Sequence, residues 1–302
     1  MEIEVNDGGI RLDAYLSDNL DISRSKIQKL IKQDKILVNG KSVNSSYIVK
    51  ENDKIVVNDE LDFEITVEPE NIDLDIVYED EYLLIINKRS GMVVHPAPGN
   101  YTGTLVNALL YYLNRGKTNN LRPGIVHRID KDTTGVLVVA KDDKTLELLS
   151  EMLKKKEIKR TYIAIVDGII PHSTGTIDAP IGRDTKDRER MAVTDINSKD
   201  AITHFKVLKR FNTTNQTLIE CNLETGRTHQ IRVHMAYIGY PIYNDPVYGK
   251  NKKTTSFGQF LHSKKISFIH PITGELIEKE VDLPLEFKEY IDSIDKEDEN
   301  NI

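Results

Sequence analysis

The chain has 302 residues, 39% of them hydrophobic, a single cysteine and a formal net charge of -7, which suffices to bury one large core or one large and one small. No apolar run approaches the roughly 18 residues of a membrane helix, and Met1-Glu2-Ile3-Glu4-Val5 lacks the basic-then-apolar order of a signal peptide. Cys221 has no second thiol for an internal disulfide or a CxxC site, so the expectation is a cytoplasmic protein with no membrane contact, in which this thiol is a small buried hydrophobe.

Residues 11 to 57 read as a helix pair followed by a hairpin. The second helix is the clearer: Ser23 can cap it, Ile27, Leu30 and Ile31 share one face, and Arg24, Lys26, Lys29 and Lys32 occupy the opposite arc. The run Lys35-Ile36-Leu37-Val38-Asn39-Gly40-Lys41 is a strand entering an Asn-Gly turn, with Lys54-Ile55-Val56-Val57 as a closing strand. This order of elements resembles the S4 RNA-binding module, over about one-sixth of the chain. The resemblance implies a small αL-type domain at residues 1–60 whose Arg24, Lys26, Lys29 and Lys32 contact structured RNA. A small domain with a solvated lysine face is the plainer alternative.

Charge then divides the chain. Residues 58–82 hold 11 acidic and no basic side chains, residues 275–302 hold 11 acidic and 3 basic (net -8), and the body between, residues 83–274, holds 29 basic and 17 acidic (net +12). A body this basic attracts a polyanion. The acidic stretch, broken by Pro69, marks a connector at 61–73, followed by a large domain at 74–290 and an acidic, disordered tail at 291–302.

Within the large domain, strand-like runs recur at Leu83 to Ile86, Val136 to Ala140, Tyr162 to Val166, Leu218 to Leu223 and Ile231 to His234, with one good helix at Thr145 to Lys155. Few helices have crossover length. That pattern favours an α+β fold with a mixed, largely antiparallel sheet over a doubly wound parallel one.

The stretch Val126-His127-Arg128-Ile129-Asp130-Lys131-Asp132-Thr133-Thr134-Gly135 sets a carboxylate between cations on the loop feeding the run Val136 to Ala140. Polar loops at the ends of rigid strands are where catalytic side chains are held, though a solvated acidic turn has the same composition. Three more pieces belong with it: Lys159-Arg160-Thr161-Tyr162, Glu224-Thr225-Gly226-Arg227-Thr228-His229-Gln230-Ile231-Arg232-Val233-His234, and Pro246-Val247-Tyr248-Gly249. With Asn87-Lys88, Gly91-Met92-Val93-Val94-His95-Pro96, His262 and His270-Pro271-Ile272-Thr273-Gly274-Glu275, they make residues 74–285, about 70% of the chain, resemble the pseudouridine synthases of the RluA type.

That resemblance implies isomerisation of uridine in RNA to its carbon-linked isomer, without cofactor or metal, by a protein that is a monomer. Moving the ribose from N1 to C5 needs a carboxylate at the sugar, as nucleophile at C1′ or base at C2′, and Asp130 matches the family's essential aspartate. A facing guanidinium lowers a carboxyl pKa by roughly 1 to 3 units, a task for which Arg227 matches the family's partner. Unstacking the target base costs a few kcal/mol, and stacking on an aromatic returns roughly 1 to 3 kcal/mol. Tyr162 matches that aromatic, with its phenol also placed to help remove the C5 proton, and Ile231 would form the opposite wall. Arg128, with His127 beside it, would hold the RNA around the flipped nucleotide. Two departures stand out: Arg89, where the family usually carries proline, and Asn244, where it usually carries glycine.

The combination of S4-like module and catalytic body looks like the branch acting on large-subunit (23S) ribosomal RNA, similar to the synthase usually labelled D, so the expected partner is that RNA or its assembly intermediates. Other readings stay open: a transfer RNA synthase, a non-catalytic RNA-binding ribosome-assembly protein, an N-glycoside hydrolase using Asp130 with Asp132, and a metal hydrolase built on His127, Asp130, His229 and His234. The last fits poorly, since His229 and His234 are five apart and do not readily share one ligand sphere.

Overall fold

The structure, a computed structural model, describes residues 2–5, 8–20, 24–58, 67–97, 100–116, 118, 120, 122–187, 190–249, 255 and 257–300, apart from the side chains of Asp18, Leu20 and Lys26. It divides into two compact units, Met1–Ile65 and Thr66–Ile302, with the division inside the expected connector.

The first unit runs β1 (Glu2–Glu4), α1 (Leu12–Leu20), α2 (Arg24–Lys32), β2 (Ile36–Val38) and β3 (Lys54–Val57). Its sheet has the order β1-β3-β2, antiparallel throughout, so β1 adds a strand that the alternation of the later segments did not reveal. Asn39 and Gly40 both take positive φ, 51° and 73°, which turns the chain tightly, as an Asn-Gly pair does at low cost. The core combines Ile27, Leu30 and Ile31 of α2 with Leu12 and Leu16 of α1, leaving Arg24, Lys29 and Lys32 on the exposed side. The cap expected from Ser23 lies outside the described residues. Beneath the cationic face, the fully buried Asp13 accepts bonds from Arg11 (3.0 and 2.9 Å), Arg24 (3.1 Å) and Gln28 (2.6 Å).

The second unit contains β4 (Ile76–Glu79), β5 (Leu83–Lys88), α3 (Leu105–Tyr112), β6 (Thr134–Ala140), α4 (Asp143–Lys154), β7 (Lys159–Asp167), β8 (Thr174–Asp178), β9 (Ile181–Arg183), β10 (Met191–Val193), β11 (Ile202–Phe211), β12 (Gln216–Leu223), α5 (Gln230–Tyr237), β13 (Leu261–Ile269), β14 (Leu276–Glu280) and α6 (Leu285–Glu299). One sheet carries the order β4-β5-β6-β13-β7-β12-β11-β8, with β14 added to β13. Its β6–β13 contact is parallel and its neighbours are antiparallel, the mixed α+β arrangement expected. All seven residues of β6 are buried, which is why the run Val136 to Ala140 shows no polar alternation. Gly135, at φ +105°, is required where β6 meets β13: a Cβ there would stand 2.1 Å from the carbonyl oxygen of Ser263. Among the described residues no helix is long and apolar enough to cross a membrane.

Two expectations are corrected. Ile231 to His234 is not a strand but the first turns of α5. Its polar-apolar alternation resembled a half-buried strand, whereas all four side chains are in fact buried. His234 can be buried because Nδ1 meets Thr203 Oγ1 and Nε2 meets the Ala179 carbonyl, each at 2.9 Å. The acidic tail, in turn, is helical through Glu299, because α6 carries an apolar stripe under its acids: Phe287, Tyr290, Ile291 and Ile294 recur at helical spacing. Phe287 is fully buried against Phe257 and Phe260, and Tyr290 stacks on Tyr243 with centroids 4.6 Å apart.

Candidate active site

The loop that carries Asp130 is held from three sides. Ile129 is buried in the core that Tyr162 and Ile231 share, and the Thr133 N–H donates to the Asp130 carbonyl at 3.1 Å, closing the turn. His127 Nε2 accepts the Val138 N–H at 3.1 Å, and burial, with Arg160 nearby, pushes its pKa down to about 3. That nitrogen ties the loop to β6, and His127 also lines a cationic cavity with Arg128 and Arg160. The third anchor was missed in the sequence. Lys88, at the end of β5, is buried and donates Nζ bonds to the carbonyls of Arg89 (2.9 Å), Met92 (2.9 Å) and Lys131 (2.8 Å), the last within the loop itself. Burial pushes its ammonium down to about 7, against the pull of Asp130 and Asp132. A lysine closing the apolar run Leu83 to Ile86 was the available signal.

The cation paired with Asp130 is Arg232, not Arg227. Arg232 Nη1 donates to Asp130 Oδ2 at 2.9 Å, while Nε and Nη2 grip the two oxygens of Asp245 at 2.7 and 2.8 Å. Arg227 instead directs Nε to the Asp200 carbonyl at 2.9 Å. Helical geometry explains the exchange: Arg232 lies in the first turns of α5, whose buried side faces the loop, whereas Arg227 lies on the preceding turn. Burial opposes the charge on Arg232, but the bonds to Asp245 and the charges of Asp130 and Asp245 overcome it and raise its pKa. Asp245 likewise stays below the ordinary carboxylate range despite burial, because Arg232 and the N–H groups of Val247 and Tyr248 stabilise its anion. One guanidinium thus holds two carboxylates, one sealed and one, with a side chain 17% exposed, open to a cavity.

That cavity is about 70 Å³ and is lined by Asp130, Tyr162, Arg227, His229, Ile231 and Arg232, with Arg128 at its edge. Four of the sequence-predicted residues therefore converge with Asp130: Tyr162, Arg227, Ile231 and Arg128. Tyr162 stands on β7 and its hydroxyl carries a raised pKa through burial, so the phenol stays neutral. Among the described residues, the carboxylate lining this cavity is Asp130; Asp132 packs instead against Gly258, where an added Cβ would meet its own at 2.5 Å. Arg128, Arg160, Gly226 and Arg227 also border a second cavity of about 510 Å³, whose walls include Arg122, Lys154 and Lys156. Arg128 Nη1 lies 3.3 Å from His95 Nε2 there. One open carboxylate beside an aromatic, next to a cationic basin, suits a polyanion that inserts a single planar group.

Residues 82–237 match the family described as RNA pseudouridylate synthase, and residues 10–55 match the S4 domain. The chain belongs to the RNA pseudouridylate synthase family. It is 49% identical to an uncharacterized RNA pseudouridine synthase of Bacillus subtilis (strain 168), over 95% of this chain and 94% of that one. It is 42% identical to the ribosomal large subunit pseudouridine synthase D of Pseudomonas aeruginosa, over 95% of this chain and 92% of that one. Among solved structures, human RNA pseudouridylate synthase domain containing 1 superposes with a TM-score of 0.59 at 25% identity, covering 71% of this chain and 85% of its own. This pseudouridine synthase is accordingly an isomerase with an RNA-binding S4 domain.

The departure at Asn244 has a physical account in this synthase. The residue sits at φ +58°, the left-handed region that asparagine tolerates better than other side chains after glycine. Its Nδ2 donates to Thr255 Oγ1 at 2.8 Å and to the Gly258 carbonyl at 2.7 Å, securing the strand that follows. Arg89 is exposed beside the buried Lys88, and nothing in the structure explains its replacement of proline.

Proposed function

We propose that this synthase isomerises uridines in large-subunit ribosomal RNA, with Asp130 as the carboxylate acting at the ribose, as nucleophile at C1′ or base at C2′. The observation that carries the reading is the state of Asp130: it lines the cavity, and Arg232 binds Oδ2 without binding Oδ1. The target uridine leaves its stack and Tyr162 stacks on the base, with Ile231 across from it. Burial raises the Tyr162 pKa, which favours a stacking role over a phenolate base. Arg128 and Arg227, on the border of the larger cationic cavity, contact RNA phosphates around the extruded nucleotide. Arg24, Lys26, Lys29 and Lys32 of α2 add contacts from the S4 domain, and no metal or cofactor takes part. The ribosomal substrate is supported by the near full-length likeness to the large subunit synthase of Pseudomonas aeruginosa.

Mapping pseudouridine in total RNA from strains with and without the gene tests the substrate: loss of sites in large-subunit ribosomal RNA is expected. Loss confined to transfer RNA would replace the ribosomal assignment. Asp130→Asn is expected to abolish isomerisation while RNA affinity stays within a few-fold. Free uracil as product would convert the reading to N-glycoside hydrolysis.

A further inference from the structure

The arrangement around Asp130 includes a second side chain held by a neighbour. His229 occupies the turn before α5 at φ 58°, ψ 19°, a left-handed conformation, and makes no side-chain cap to the helix. Its ring is instead fixed at the other end: Nδ1 lies 2.9 Å from Tyr248 Oη, and the two rings meet edge to face with centroids 5.7 Å apart. Its Nε2 faces Asp130 Oδ1 at 3.9 Å. That oxygen is the one Arg232 leaves uncommitted.

The position of each hydrogen follows from the donors. The Met191 backbone N–H donates to Tyr248 Oη at 2.9 Å, so the phenol oxygen already accepts a bond and retains one hydrogen of its own. Given to His229 Nδ1, that hydrogen makes Nδ1 an acceptor and places the imidazole hydrogen on Nε2. The opposite tautomer would set a bare Nε2 lone pair against a carboxylate oxygen and leave the phenol hydrogen without the acceptor nearest to it. A doubly protonated ring is disfavoured by burial. Tyr248 itself is buried, with the guanidinium carbons of Arg190 and Arg232 each 5.1 Å from its ring centroid.

We propose that Tyr248 locks His229 as the Nε2–H tautomer and that this N–H is a positioning group for Asp130, directing Oδ1 toward the bound ribose. At 3.9 Å the contact is longer than a hydrogen bond, so Oδ1 is oriented but not blocked, as a reacting oxygen must be. Arg232 fixes one carboxylate oxygen and His229 biases the other, which defines the plane of the group. The inference rests on Asp130 being the reacting carboxylate.

Two measurements test it. Nitrogen-15 spectra of the His229 ring in the full-length protein need no RNA: the Nε2–H tautomer is expected, and a ring protonated on Nδ1 would overturn the proposal whether or not the enzyme's assigned reaction is right. His229→Asn tolerates the left-handed backbone but lacks reach, whereas His229→Gln returns an N–H donor near the position of Nε2. With total RNA from a strain lacking the protein as the probe, the single-turnover rate constant of His229→Asn should fall about a hundredfold with RNA affinity little changed. His229→Gln should recover part of that loss. Equal rates for Asn and Gln, or a loss in affinity alone, would overturn the positioning role. Wild-type protein that forms no pseudouridine would instead refute the assigned reaction and leave the tautomer result standing.

Discussion

Arg232 places Nη1 2.9 Å from Asp130 Oδ2 while its other two nitrogens close on Asp245. A planar fork grips Asp245 with two nitrogens and reaches Asp130 with the third, a geometry that the single nitrogen of a lysine ammonium does not reproduce. Arg232→Lys should therefore lower the single-turnover rate constant by about 10²–10³-fold, the usual effect of losing one preorganised hydrogen-bond donor. Arg227→Gln should act chiefly on RNA affinity and its salt dependence, since it borders both cavities and directs its Nε to the Asp200 carbonyl. Rate constants and dissociation constants for the two variants separate these outcomes; a larger rate loss for Arg227→Gln would reverse the assignment.

Asp13 organises the cationic side of the S4 domain from below. Its carboxyl is held well below the usual range chiefly by the bond from Arg11, against the cost of burial, with Gln28 and Arg24 adding to the effect. A depressed folded-state pKa contributes stability above the unfolded value of about 4, and that stability is lost as pH falls through and below it. Asp13→Asn should destabilise this domain by about 1–3 kcal/mol near neutral pH, as Arg11, Arg24 and Gln28 lose a buried, charged acceptor. The difference from wild type should shrink steadily below about pH 4. Denaturant titrations at several pH values check both the size and the trend.

Gly135 lies under the Asp130 loop, where a methyl group would collide with the Ser263 backbone. Gly135→Ala should cost about 1–3 kcal/mol or somewhat more, because overpacking and a φ of +105° act together. Thermal unfolding measures the cost. A variant as stable as wild type would mean that β6 and β13 can separate without penalty.

The acidic C-terminal helix is part of the large unit's core. Phe287 is fully buried among Phe257 and Phe260, so Phe287→Ala should destabilise by about 3–5 kcal/mol. A change of a few tenths would imply that α6 contributes little to that core.

Much of this was legible from local pattern. The apolar run Val136 to Ala140, with no polar alternation, reads as a buried strand, and the stripe Ile27, Leu30, Ile31 as the packed face of a helix, because apolar side chains at either period gain by leaving water together. The chemistry-bearing residues Asp130, Tyr162, Arg227 and Ile231 were likewise visible as motif pieces, and they do meet at one cavity. What local pattern could not decide was which buried polar group pairs with which. Ile231-Arg232-Val233-His234 reads as a strand until Asp245, Asp130 and Thr203 arrive from distant segments to satisfy Arg232 and His234. The same holds for Lys88, whose three carbonyl partners come from two separate loops. Composition and period determine where apolar surface goes, since that term is non-directional. The pairing of charges is directional and short-ranged, and so it belongs to the tertiary structure.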